Sequence, residues 1–168
     1  SVAWVHRAGG RAEFVERAAE AGFDGFIFPD APLEESDELV AAAAARGLTC
    51  SLLVSPSTPP ERARAIAERC SGFVYLLARS GITGERSEAP EVEAPVQAIR
   101  EAAQTPIAVG FGISTAEHVR SVVAHADAAI VGSALVRRME AAEAAGEDPI
   151  AEAGSFTAAL AAGLSAPG

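Results

Sequence analysis

Lysine is absent from this chain of 168 residues: all 13 basic residues are arginine. Its absence removes Schiff-base chemistry and a lysine general base from the candidate mechanisms. Cysteine is scarce, with only Cys50 and Cys70, and their spacing is not that of a metal site. They read as reduced, buried thiols in a reducing compartment. Aromatic residues make up only 5% of the chain, so Ala, Val, Ile and Leu must fill the core. No apolar run reaches the ~18 residues of a membrane-spanning helix. The N-terminus shows no secretory-leader pattern, and we expect a cytoplasmic location. Positive charge is also in deficit, with a formal net charge of −10. That disfavours nucleic acid and anionic membranes as partners. A small anion stays possible, because backbone N–H groups bind phosphate without net positive charge.

What is present is a regular alternation. Hydrophobic residues form 49% of the chain and charged residues 21%, a mix that suits one globular domain with a real core. Short apolar runs predict strands at "SVAWV" (1–5), "GFIF" (25–28), "CSLLV" (50–54), "GFVYLLA" (72–78), "PIAVGF" (106–111) and "AAIVGSA" (128–134). Helical spacing falls between them, over 11–22, 32–47, 58–70, 96–104 and 114–126, with two more helices over about 134–145 and 148–162. Thr58 reads as the N-cap of its helix, and Ser114 with Glu117 looks like a capping box. Strands that are apolar almost throughout suit a parallel sheet buried on both faces. The fold class is therefore α/β, with about six βα units. Residues 79–95 break the alternation. They are polar and rich in glycine, and long loops in compact domains are often functional.

Two glycine motifs close consecutive strands. "AVGFGIST" (108–115) ends a strand with Gly110, Phe111 and Gly112, and "AIVGSALV" (129–136) repeats the device with Gly132 and Ser133. Glycine permits positive φ and close backbone approach. The N–H groups there, with those opening the next helix, can face one shared anion. Either motif alone is as well explained by a tight turn; two on neighbouring strands favour a phosphate cradle. The pattern is not a dinucleotide fingerprint, since it is GxG rather than GxGxxG.

Taken together, "AGFDGFIFPDAPLEES", "GFVYLLARSGITGER", "PIAVGFGIST" and "AAIVGSALV" resemble the tryptophan synthase α subunit in order and spacing, over residues 1 to about 140. The resemblance implies a (β/α)8 TIM barrel of phosphate-binding type. It implies retro-aldol cleavage of indole-3-glycerol phosphate to indole and glyceraldehyde 3-phosphate, without metal or organic cofactor. It implies a small-molecule phosphate substrate and a tryptophan synthase β subunit as partners. On matching positions, Gly84, Gly110, Phe111, Gly112, Gly132 and Ser133 are expected to form the phosphate cradle. Thr83 and Tyr75 are expected to support catalysis, Thr83 from the loop that begins at Arg79 and Gly81. Asp30, at a strand end, is expected to bind substrate, as is Arg79. Tyr75 is equally readable as a barrel-filling aromatic, and Arg79 as an ion-pair anchor. His118 and His125 read as surface residues. His6, in "WVHRAG", departs from the family's pattern at that point.

The resemblance also places "SVAWV" as the third strand of the barrel. Residues 1 to about 140 would supply strands 3–8 of a single partial-barrel domain, and about 141–168 its C-terminal helices. The family's catalytic glutamate and aspartate would fall before Ser1, so the 168-residue chain alone is expected to be inactive. Two other readings stay open: a noncatalytic phosphate-binding or partner-activating barrel fragment, and another phosphate-sugar isomerase of the same fold. The second does not account for "ARSGITG".

Overall fold

A computed structural model describes Val5, residues 9–78 and residues 91–164. In chain order the elements are α1 (Arg11–Glu20), β1 (Gly25–Phe28), α2 (Leu33–Ala45), β2 (Thr49–Val54), α3 (Pro60–Arg69) and β3 (Val74–Leu77). They continue with α4 (Glu93–Arg100), β4 (Ile107–Gly110), α5 (Ala116–Val123), β5 (Ala128–Ile130), α6 (Ser133–Ala145) and α7 (Pro149–Ala161). A 3-10 turn, Ala162–Leu164, follows. The expected strand over 1–5 is not a strand at Val5, which is helical and buried; its other residues lie outside the described ones.

The described strands form one five-stranded sheet in the order β1-β2-β3-β4-β5, parallel throughout. Each strand pairs with the next in sequence, and a helix fills every crossover between them. This is the βα repeat that the apolar runs predicted, with all parallel pairs needing a long connection. Side chains alternate across the sheet. One face turns Phe28, Cys50, Leu52, Val54, Val74, Leu76, Ile107 and Val109 to the helices, and all are buried. There Phe26 stacks between Phe14 of α1 and Phe28, with ring centroids 5.4 Å and 5.3 Å away.

The other face departs from the expectation of burial on both sides. Ile27 is 45% exposed, and Leu53, Tyr75, Leu77 and Ile130 on the same face are only partly buried. Apolar composition alone does not distinguish a strand covered twice from one covered once. The pairs Ile27↔Ser51, Leu53↔Tyr75, Leu77↔Gly110 and Gly110↔Ile130 run across this inner face from one edge to the other.

Arginine serves the outer layer. Arg11 pairs with Glu38 and Arg46 with Glu16, joining α1 to α2; Arg62 with Glu34 and Arg69 with Asp37 join α2 to α3. Arg62 binds Glu34 in the bidentate fork at 2.5 and 3.0 Å. That contact holds the Glu34 carboxyl down at about 2. These pairs are largely exposed, so each adds little stability.

Helix starts differ from expectation at two places. The N-cap of α3 is Pro59 rather than Thr58. Thr58 instead closes a turn, its Oγ1 accepting from Ser55 N at 3.0 Å. The N-cap of α5 is Thr115 rather than Ser114, and its side chain accepts from His118 N.

Candidate functional site: the carboxyl ends of β3, β4 and β5

The carboxyl ends of parallel strands are where open α/β sheets and barrels keep their ligands. Here β4 runs out into Gly110-Phe111-Gly112 and β5 into Gly132-Ser133. Gly110 lies opposite Ile130 in the register. Gly112 and Gly132, each two residues further on, therefore leave neighbouring strands at the same level.

The backbone after β4 is strained in an informative way. Phe111 has φ 86 and Gly112 φ 79, two left-handed residues in succession. Phenylalanine there is an outlier costing about 1–3 kcal/mol, and such conformations persist only where the surroundings impose them. Of the two glycines expected to take positive φ, only Gly112 does. Gly110 is glycine for another reason: a Cβ built on it would lie 2.2 Å from the Tyr75 hydroxyl and 2.6 Å from Cζ of that ring. The β3 tyrosine thus lies directly over the Gly110 backbone. Burial pushes the Tyr75 phenol above its ordinary value, so it stays a neutral hydroxyl around pH 7.

After β5 the chain enters α6 with Gly132 as N-cap and no side-chain cap. The first turn of α6 carries no acid, whereas each of the other six described α-helices has a glutamate there. The first N–H groups of α6 and the positive end of its dipole are thus left uncompensated by side chains. A Cβ placed on Gly132 would meet nothing within 4 Å, so the space beside this helix start is open.

The sheet therefore brings Gly110, Phe111 and Gly112 after β4 beside Gly132 and Ser133 after β5, while Tyr75, from within β3 rather than at its end, lays its ring over Gly110. Asp30 is not in this group. It is exposed in the turn after β1, with β2 and β3 between it and β4. A cavity of about 250 Å³ lies on its side of the sheet, lined by Pro29, Leu33, Leu53, Thr58 and Leu77 among others. Arg79, Gly81, Thr83, Gly84 and His6 lie outside the described residues. His118 is not a surface residue: it is 3% exposed, while His125 is exposed. The signal was present in the sequence, since His118 shares the apolar helical stripe of Val119 and Val122. Among the described residues no cluster of His, Cys, Asp or Glu could hold a metal ion.

The family described as tryptophan synthase alpha chain matches residues 4–163. The chain belongs to that family. It is 48% identical over 153 residues to the tryptophan synthase alpha chain of Synechococcus sp. (strain CC9902), covering 90% of this chain and 56% of that one. Among solved structures, tryptophan synthase of Mycobacterium tuberculosis superimposes with a TM-score of 0.81 at 32% identity, covering 94% of this chain and 58% of that one. The Pyrococcus furiosus tryptophan synthase a2b2 complex, described as showing mutual activation, gives a TM-score of 0.79 at 30% identity over 95% of this chain and 62% of that one. The chain thus spans somewhat more than half the length of these tryptophan synthase alpha relatives, and its sheet is a partial TIM barrel of their kind.

Proposed function

We propose that the chain supplies the phosphate-binding side of an indole-3-glycerol-phosphate lyase, the α reaction of tryptophan biosynthesis. The observation that carries this reading is the start of α6, with no side-chain cap and no acid in its first turn, level with the left-handed Phe111–Gly112 turn on the neighbouring strand. Amides of Gly112 and Ser133, with Gly84 of the segment before α4, would hold the substrate phosphate. Phe111, half-buried, would bound the cradle on the side of the sheet's inner face. Tyr75, protonated and lying on Gly110, would donate its hydroxyl toward the glycerol portion. Arg79 and Thr83 would act from the same segment as Gly84, and Asp30 from the far side of the pocket.

Retro-aldol cleavage needs a base for the substrate hydroxyl proton and an acid for the indole ring, each worth roughly 10²–10⁴-fold. By the resemblance no carboxylate pair within residues 1–168 falls at the family's catalytic positions, so the complete protein would be the carbon–carbon lyase and this chain alone would be inactive. Binding without that pair does not lower the barrier. The partner would be a β subunit, as in the a2b2 complex of Pyrococcus furiosus.

The test is a titration with glycerol 3-phosphate followed by amide chemical shifts, with indole release from indole-3-glycerol phosphate measured beside it. Shifts centred on Gly112 and Ser133, without indole release with or without β subunit, are expected. Turnover near that of a complete α subunit would show that the catalytic groups lie within this chain. Shifts elsewhere, or none, would refute the cradle.

A further inference from the structure

His118 is a buried polar side chain that the reading above leaves without a role. It sits in the first turn of α5, and its own N–H donates to Thr115 Oγ1 at 3.1 Å. Its Nδ1 accepts the backbone N–H of Ser114 at 3.4 Å. The pair of bonds is a capping box in which histidine takes the place of Glu or Gln. The side chain reaches one residue further back than usual, to the residue before the cap. An accepting Nδ1 requires the neutral ring with its proton on Nε2.

Ser114 is two residues beyond Gly112, so this bond anchors the Ile113–Ser114 peptide, the second plane after the left-handed pair. The base to which it ties that plane is itself fixed. The 3-10 turn packs onto α5 so closely that a Cβ on Gly163 would lie 2.2 Å from the Ala116 carbonyl oxygen. On the other side of the plane, Ile113 is buried. The strained Phe111 conformation needs such support on both flanks, because nothing local favours it. A 3.4 Å bond is long, and its contribution is direction rather than strength.

We propose that His118 is a positioning residue for the phosphate cradle: by accepting the Ser114 N–H it holds the Phe111–Gly112 turn in the shape that presents its amides to an anion. The proposal rests on the cradle reading given under Proposed function. His118 itself does not touch the ligand.

Two substitutions in the 168-residue chain separate positioning from packing. His118→Asn places an acceptor oxygen close to where Nδ1 sits. His118→Leu fills the buried space and has no acceptor. Glycerol 3-phosphate affinity and hydrogen exchange at the Ser114 amide are measured for both. We expect Asn to bind within about threefold of the parent and to keep Ser114 protected, and Leu to bind about tenfold more weakly with Ser114 exposed to exchange. A residue that only packs gives the reverse order, with Leu like the parent and Asn the poorer; that order, or equal behaviour of all three, overturns the proposal. If Asn does not fold, His118→Gln, the usual capping-box residue, is judged by the same criterion. Failure of the parent chain to bind glycerol 3-phosphate refutes the cradle reading itself. Exchange then still decides the hold on the turn, which falls if Ser114 is unprotected in the parent or protected in Leu.

Discussion

Replacing Gly110 by alanine adds one carbon, and the structure says where it goes. The new Cβ would lie 2.2 Å from Tyr75 Oη, 2.6 Å from Cζ and 2.8 Å from Cε1. None of these separations is sustainable, so the ring has to move. Gly110 is a ladder residue, paired with Leu77 on one side and Ile130 on the other, and cannot yield easily. Tyr75 can swing toward the partly open inner face, at the cost of a displaced rotamer, about 0.5–1.5 kcal/mol, and of the contacts it leaves. Overpacking of this kind costs about 1–3 kcal/mol, offset by the ~0.4–1 kcal/mol that alanine saves by restricting the unfolded chain. The net expectation is a destabilisation of about 1–2 kcal/mol. Urea denaturation reads it as a lowered midpoint at unchanged slope. The partner substitution identifies the cause. Tyr75→Phe removes only the hydroxyl and leaves Cζ and Cε1 in the way, so G110A stays harmful in that background. Tyr75→Leu removes the ring, and there G110A is expected to cost less than half as much. The same penalty in the Leu background as in the parent would mean that the ring is not what the methyl meets, and the account of Gly110 would be wrong.

Gly112→Val is expected to weaken glycerol 3-phosphate binding at least tenfold, because a β-branched residue resists φ 79 and its methyls enter the cradle; isothermal calorimetry measures it, and unchanged affinity would refute the assignment. Asp127 accepts from Ile107 N at 2.8 Å and from Arg100, contacts that hold its carboxyl below the ordinary value. A depressed folded value gives stability that is full above the unfolded value, near ~3.9, and is lost as pH falls through the folded one. Urea midpoints taken from about pH 6 down to 3 are therefore expected to fall less steeply for Asp127→Asn than for the parent; parallel curves would deny the linkage. Burial pushes Cys50 up to about 11 and raises Cys70. Neither thiol is expected to react with a disulfide reagent near pH 8 until urea is added, and rapid native labelling would contradict their burial.

The strand at Gly25–Phe28 was legible because three apolar residues, Phe26, Ile27 and Phe28, stand between a glycine and a proline, and both glycine turns were legible because glycine closes apolar runs so visibly. Other features depend on contacts distant in sequence. That Gly110 serves Tyr75 follows from the β3–β4 pairing, in which Tyr75 stands opposite Ala108, two residues before Gly110. That the first left-handed residue is Phe111 runs against its own preference and could be imposed only by its surroundings. Ser114 and Thr115 are adjacent hydroxyls of nearly equal merit as caps. The choice between them is tied to His118, whose ring occupies the Ser114 amide and whose own amide meets Thr115 Oγ1. The inner face read as buried because apolar letters carry no label for which neighbour covers them.

The sequential order of the sheet bears on how the chain acquires its structure. Gly25 pairs with Thr49, Leu53 with Tyr75, Val74 with Ile107 and Ala108 with Ala128, each partner about one βα unit further along. No described strand waits for a partner on the far side of the sheet. Loop closure is therefore met in small instalments, and contacts of short range in sequence favour rapid folding. As the chain leaves the ribosome, each βα unit can dock on the one before it. The β5 edge, with the uncapped start of α6 beside it, is completed last. The glycine turns after β4 and β5, which the proposed function makes an anion cradle, would then be a late product of folding, assembled only after the sheet that supports them.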